Sequence, residues 1–80
     1  MSLDAQYISE LLSAALPDCQ ITVDGGAGKF QVIAVGDVFS GLGAVKRQQL
    51  VYQHLNPHIQ SGAVHAVTMR LMTPAEAAAA

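Results

Sequence analysis

Few side chains in this 80-residue chain can do chemistry, and three of those are histidines. His65 stands near the start of the last strand-like run, Val64 to Met72. The run alternates, so His65 shares its parity with Val67, Met69 and Leu71, while Val64, Ala66, Thr68 and Arg70 share the other. An imidazole so placed lies at the lip of an apolar face. It serves there either as a structural donor to a backbone carbonyl or as a metal ligand. Thr73-Pro74-Ala75-Glu76 follows and reads as a helix start. Thr73 caps, Pro74 takes the first helical position, where a missing N–H costs nothing, and Glu76 completes a capping box. His54 and His58 have the four-residue spacing of a helical metal pair. Pro57 lies between them and disfavours helix at Asn56, so exposed, unliganded rings are expected.

Other arrangements of reactive residues lead nowhere in the sequence. Cys19 and His65 could make a thiolate–imidazole pair, but no local pattern brings them together. Asp37 and Ser40 lack a nucleophile-elbow context, and no carboxylate pair is spaced for acid–base work. Gly25-Gly26-Ala27-Gly28-Lys29 fails as a phosphate loop, because Val23 replaces the first glycine and Phe30 the magnesium-binding hydroxyl. The Gly-x-x-Gly string from Gly25 to Gly28 joins two strands, which makes it a hairpin turn and not a KH clamp. Lys46-Arg47 is a basic pair on a helix flank, read as a solvated face with partner contact as the minor alternative. An enzyme is not expected.

The elements that must position these residues fit one domain, residues 1–80. A chain this short buries only about 60% of the surface it exposes when unfolded. Its 12% charged and 51% hydrophobic residues exclude disorder. A net charge of −2 with four Lys+Arg is a poor footprint for nonspecific nucleic-acid binding. No apolar run approaches the roughly 18 residues of a membrane span, so no membrane partner is expected. With Asp4 and Glu10 and no early Lys or Arg, no secretory signal is expected, and the single Cys19 fits an expected reducing, cytoplasmic location.

Leu3 to Leu16 has one apolar helical face, with Ile8, Leu11, Leu12 and Ala15, and stops at Pro17. Gln20 to Asp24 and Lys29 to Val35 read as strands of a hairpin around the Gly25–Gly28 turn. Apolar residues of both parities in the second strand suggest cover on both sides. Val38 to Gly43 is a short connection, and a second helix is expected from about Ala44 to Leu55, with Lys46, Arg47 and Gln53 facing solvent. Asn56-Pro57 starts a further short helix that Gly62 ends. The last strand and the Thr73-initiated helix close an α+β domain of order αββααβα. It should hold a three-stranded mixed sheet, with the helical crossover placing strand three parallel to strand two and helices on one face.

The string Phe30-Gln31-Val32-Ile33-Ala34-Val35, then Phe39-x-Gly41, Val45-Lys46-Arg47-Gln48-Gln49-x-Val51-Tyr52, His65-Ala66-Val67 and Thr73-Pro74-Ala75-Glu76 resembles the BolA family, in its bacterial IbaG-type branch. The resemblance spans nearly the whole chain in order. It implies an αββααβα fold related to class II KH domains. It also implies partnership with a monothiol, CGFS-type glutaredoxin and a shared [2Fe–2S] cluster, with His65 matching the family's ligand on the final strand. No cluster is expected in the isolated chain, which would be a monomer alone or a heterodimer with its partner. A second His or Cys ligand normally comes from the hairpin loop, but this chain has Lys29 before Phe30, and Ala27 and the glycines supply none. The resemblance therefore implies docking with a weakly held cluster, or recruitment of Cys19 or a non-protein ligand. Its alternative implication is transcriptional regulation through DNA, with Lys29, Lys46, Arg47 and Arg70 as the contact surface.

Overall fold

Asp4 opens the first helix by accepting a hydrogen bond from the Tyr7 backbone N–H at 2.8 Å, which satisfies one of the free donors of the first turn. The structure, a computed structural model, describes residues 3–79. Helix α1 spans Ala5–Ala15 and buries Ile8 and Leu12, four residues apart on one face. Leu16 ends it, and β1 (Gln20–Gly26) pairs antiparallel with β2 (Lys29–Val35), from Gln20 opposite Val35 to Gly26 opposite Lys29.

The hairpin turn is shorter than the glycine string suggests. Gly25 and Gly26 belong to β1, and only Ala27 and Gly28 form the loop, with φ of 53° and 81°. Two successive positive φ values are the mark of a type I′ turn, whose twist matches the strands it joins. Ala27 is the only described non-glycine residue in that region, and the left-handed conformation costs an L-residue about 1–2 kcal/mol. Ala27→Asn, which tolerates it, should stabilise the domain by about 0.5–1 kcal/mol. Thermal or urea unfolding checks this, and an unchanged or lowered midpoint would contradict it.

After β2, residues Asp37–Phe39 form one 3-10 turn, η1, and α2 runs unbroken over Ala44–Gln60. The extra short helix therefore precedes the long one, and Asn56-Pro57 does not start a new element. Pro57 lies in the last turn, where its missing N–H leaves one carbonyl, at the exposed Gln53, without a donor. Gly62, at φ 83°, provides the left-handed exit. Strand β3 (Ala66–Met72) pairs parallel with β2, from Lys29 opposite Ala66 to Val35 opposite Met72. The sheet order is β1-β2-β3, mixed as expected.

Phe30, Val32 and Ala34 of β2 are buried and join Ile8, Leu12, Leu16, Phe39, Val51, Leu55 and Val64 in one core. Gln31 on the opposite parity is exposed, and Ile33 and Val35 are half-buried. Cover on both sides of β2 is thus not found, since the helical layer packs against one face only. The α2 stripe is narrower than its composition implied, since Val45 is 67% exposed and only Val51 and Leu55 are fully buried.

Helix α3 (Pro74–Ala79) buries no residue of its own, so polar contacts must hold its start. The predicted capping box is formed: Thr73 N–H donates to Glu76 Oε1 at 2.8 Å, and Glu76 N–H donates to Thr73 Oγ1 at 3.2 Å.

Candidate partner and metal site around His65

His65 is the residue immediately before β3, and the parallel register carries it to the tip of the β1–β2 hairpin. Its backbone N–H donates to the Gly28 carbonyl at 2.6 Å, and the N–H of Ala66 donates to the same oxygen at 3.1 Å. The peptide units on both sides of His65 are thereby fixed while the residue stays exposed. Its imidazole rests on Gly28 by the edge carrying Cδ2 and Nε2, in space a side chain on Gly28 would occupy. His65 also lines a shallow depression of about 330 Å³ together with Tyr52, Ile59, Val64, Ala66 and Val67. An exposed imidazole beside a hollow of mixed polar and apolar surface is equipped to meet another molecule, with a ring nitrogen and a contact surface together.

Lys29 does not face the ring. Strand alternation groups it with Gln31 and Ile33 on the open side of the sheet, where it helps line a second hollow with Asp24, Gln31, Ala66 and Thr68. His65 carries on the parity of Val67 and Met69, on the helix side. The loop residue that confronts the imidazole is Gly28.

Cys19 is placed at the other end of the sheet. Its Sγ packs on Gly36, as His65 packs on Gly28. The β2 segment between those two glycines spans about 25 Å at the usual strand rise, so one molecule cannot bring thiol and imidazole together. Burial, and then the nearby Asp18 carboxylate, push the Cys19 thiol pKa up, which disfavours the thiolate a metal needs. His54 and His58 share one continuous helix after all. His58 packs edge-on against Tyr7 with ring centroids 5.5 Å apart, and His54 Nε2 lies 3.3 Å from the Gln53 amide nitrogen. Among the described residues no three His, Cys, Asp or Glu side chains gather as a metal site.

The basic residues also separate. Lys46 is exposed on α2, while the Arg47 side chain is only 15% exposed, contrary to a solvated basic pair. Its Nε donates to the Leu42 carbonyl at 2.8 Å and one terminal nitrogen to the Leu71 carbonyl at 2.9 Å. The guanidinium then meets Glu76 with two contacts, at 2.6 and 3.2 Å. Arg47 therefore ties α2 and β3 to α3, and the surface imagined for nucleic acid loses that cation. Sequence spacing gave no hint of this pair, because the partners are 29 residues apart.

The Arg47 hydrogen bonds, then the Thr73 N–H, draw the Glu76 pKa down from its ordinary 4.5 to about 2. A depressed carboxylate pKa stabilises the fold fully above 4.5, and that contribution fades as pH falls toward 2. Glu76→Gln should therefore melt below wild type at pH 6 and converge with it on acidification to about pH 2. Thermal melts across pH 2–6 check this; a constant gap between the two would contradict it.

The family model described as "BolA-like protein" matches residues 9–76. The chain belongs to the BolA-like family. This BolA-like chain is 44% identical over 74 residues to the acid stress protein IbaG of Escherichia coli strain K12, covering 92% of this chain and 88% of the relative. It is 47% identical over 74 residues to an uncharacterized protein from the rpoN-murA intergenic region of Acinetobacter guillouiae, covering 92% and 89%. Its fold superposes on a bolA protein homologue from Coxiella burnetii with a TM-score of 0.82 at 26% identity, over 95% and 97% of the two chains. The α+β order and mixed sheet of the BolA-like chain are those of its family.

Proposed function

We propose that this chain is a non-enzymatic partner of a monothiol, CGFS-type glutaredoxin, and that the two share a [2Fe–2S] cluster to which His65 supplies one ligand. It works in the cytoplasm, in cluster trafficking or in iron and stress regulation. The observation that carries this reading is the exposed His65 imidazole, held on a hydrogen-bonded backbone beside a shallow hollow of mixed polar and apolar surface. Membership of the BolA-like family supports it.

The donor set on this chain is a partial one for a shared cluster. Such a cluster takes four protein or thiol ligands, and this chain brings one imidazole to the hairpin tip, surrounded by glycine, alanine and a lysine on the other face. The monothiol partner adds its own thiol, and a non-protein ligand completes the set or the cluster is held weakly. Histidine in place of a thiolate raises the cluster's potential and makes its retention sensitive to protons, which suits a ligand that must let go. Mixing the chain with a cluster-loaded monothiol glutaredoxin should change the visible circular dichroism of the cluster. A spectrum identical to the glutaredoxin's own would overturn the proposal.

A further inference from the structure

Gly28 is the one glycine of the hairpin whose missing side chain is filled by a functional group. A Cβ built on it would collide with Cδ2 of His65 and come within 3.2 and 3.3 Å of Cγ and Nε2. Those three atoms form one edge of the imidazole, so Nδ1 and Cε1 lie on the far side of the ring. The same residue's carbonyl receives the N–H groups of both His65 and Ala66. Gly28 thus sets the backbone at His65 from its oxygen and the ring's position from its bare Cα.

We infer that Gly28 is a positioning residue for the His65 imidazole: the absence of a side chain there lets the ring lie on the hairpin in one orientation, presented to an incoming partner. This rests on the reading of His65 as a ligand. A Cβ at residue 28 pushes the ring off its seat, and an imidazole forced from a staggered rotamer loses its preset direction. The consequence falls on ligation and not only on folding.

The left-handed backbone at Gly28 complicates the obvious substitution, and the molecule supplies a matched control. Gly62 has φ of 83° against 81° for Gly28, but nothing lies within 4 Å of the Cβ it would carry. Gly28→Ala and Gly62→Ala therefore carry the same backbone strain, and only the first meets an imidazole. Gly28→Asn adds a Cβ with a residue that accepts the left-handed region, which guards against a variant that fails to fold.

The test records the His65 ring resonances by NMR in the isolated chain, then the visible circular dichroism with cluster-loaded monothiol glutaredoxin. Gly28→Ala and Gly28→Asn should both shift the His65 ring signals, while Gly62→Ala leaves them at wild-type positions. Both Gly28 variants should need about fivefold more protein for half of the cluster signal, as expected for a ring displaced from its rotamer. Ring signals unmoved in the folded Gly28 variants, or moved equally by Gly62→Ala, would overturn the assignment. If wild type and His65→Ala give the same cluster spectrum, the ligand reading fails instead, and the ring resonances still judge the positioning role.

Discussion

Phe39→Ala should lose about 3–5 kcal/mol, the usual loss for emptying a buried aromatic site. Phe39 is fully buried, and it is the largest side chain in the core to be so. It descends from η1, whose own hydrogen bonds are one turn's worth: Phe39 N–H to the Gly36 carbonyl and Ser40 N–H to the Asp37 carbonyl. The neighbouring Val38 is 42% exposed, and Leu42 is only half-buried. Losing the ring therefore leaves a cavity and also releases the connection between β2 and α2. Small domains hold about 5–15 kcal/mol in total, so a large share of the stability would go. Urea unfolding should show a collapse of the midpoint or no cooperative transition, with Val38→Ala shifting it by less than about 0.5 kcal/mol. Equal effects at both positions would refute the assignment of Phe39 as the core anchor.

His65→Ala should do the reverse: leave the fold intact and remove the proposed cluster ligation. The side chain is exposed, and the two hydrogen bonds that fix this stretch use backbone N–H groups that alanine keeps. The melting temperature should move by no more than surface substitutions usually do. In the proposed role the shared cluster would lose a direct ligand, and loss of even a supporting neighbour typically weakens metal binding 10–100-fold. The amount of chain needed to develop the cluster's visible circular dichroism should therefore rise by about 100-fold or more. A titration indistinguishable from wild type would remove His65 from the ligand set. A large drop in melting temperature would mean that the residue is structural, as the plain reading of a strand histidine has it.

Much of the fold was legible because it rests on local rules. The apolar spacing of Ile8 and Leu12, the alternation of Phe30, Val32 and Ala34, and the reciprocal Thr73–Glu76 capping box are each written within a few residues. Where the reading slipped, a local rule met a tertiary context. Pro57 reads as a helix break, yet it sits in the last turn of α2, where the donor it lacks is missing at an exposed residue. Phe39 reads as part of a connection, because a single apolar residue in a turn has no period to reveal its burial. Ile33 and Val35 read as a second buried face, but a chain of this length supplies one helical layer and leaves them half-buried.

At the site, the sequence by itself determined the chemistry available: one strand histidine, no carboxylate pair, a lone cysteine, and a hairpin of glycines with Lys29 where a second ligand was expected. Only the tertiary structure decided who meets whom. The parallel register of β3 against β2 brings His65 to the hairpin tip, the pleat turns Lys29 to the opposite face, and the length of β2 holds Cys19 far away. The same folding commits Arg47 to Glu76 and to two backbone carbonyls. Types and spacing are local properties of a chain. Strand register and face are set by which pairing buries the apolar set, and a one-residue slip of β3 would turn His65 to the opposite face of the sheet.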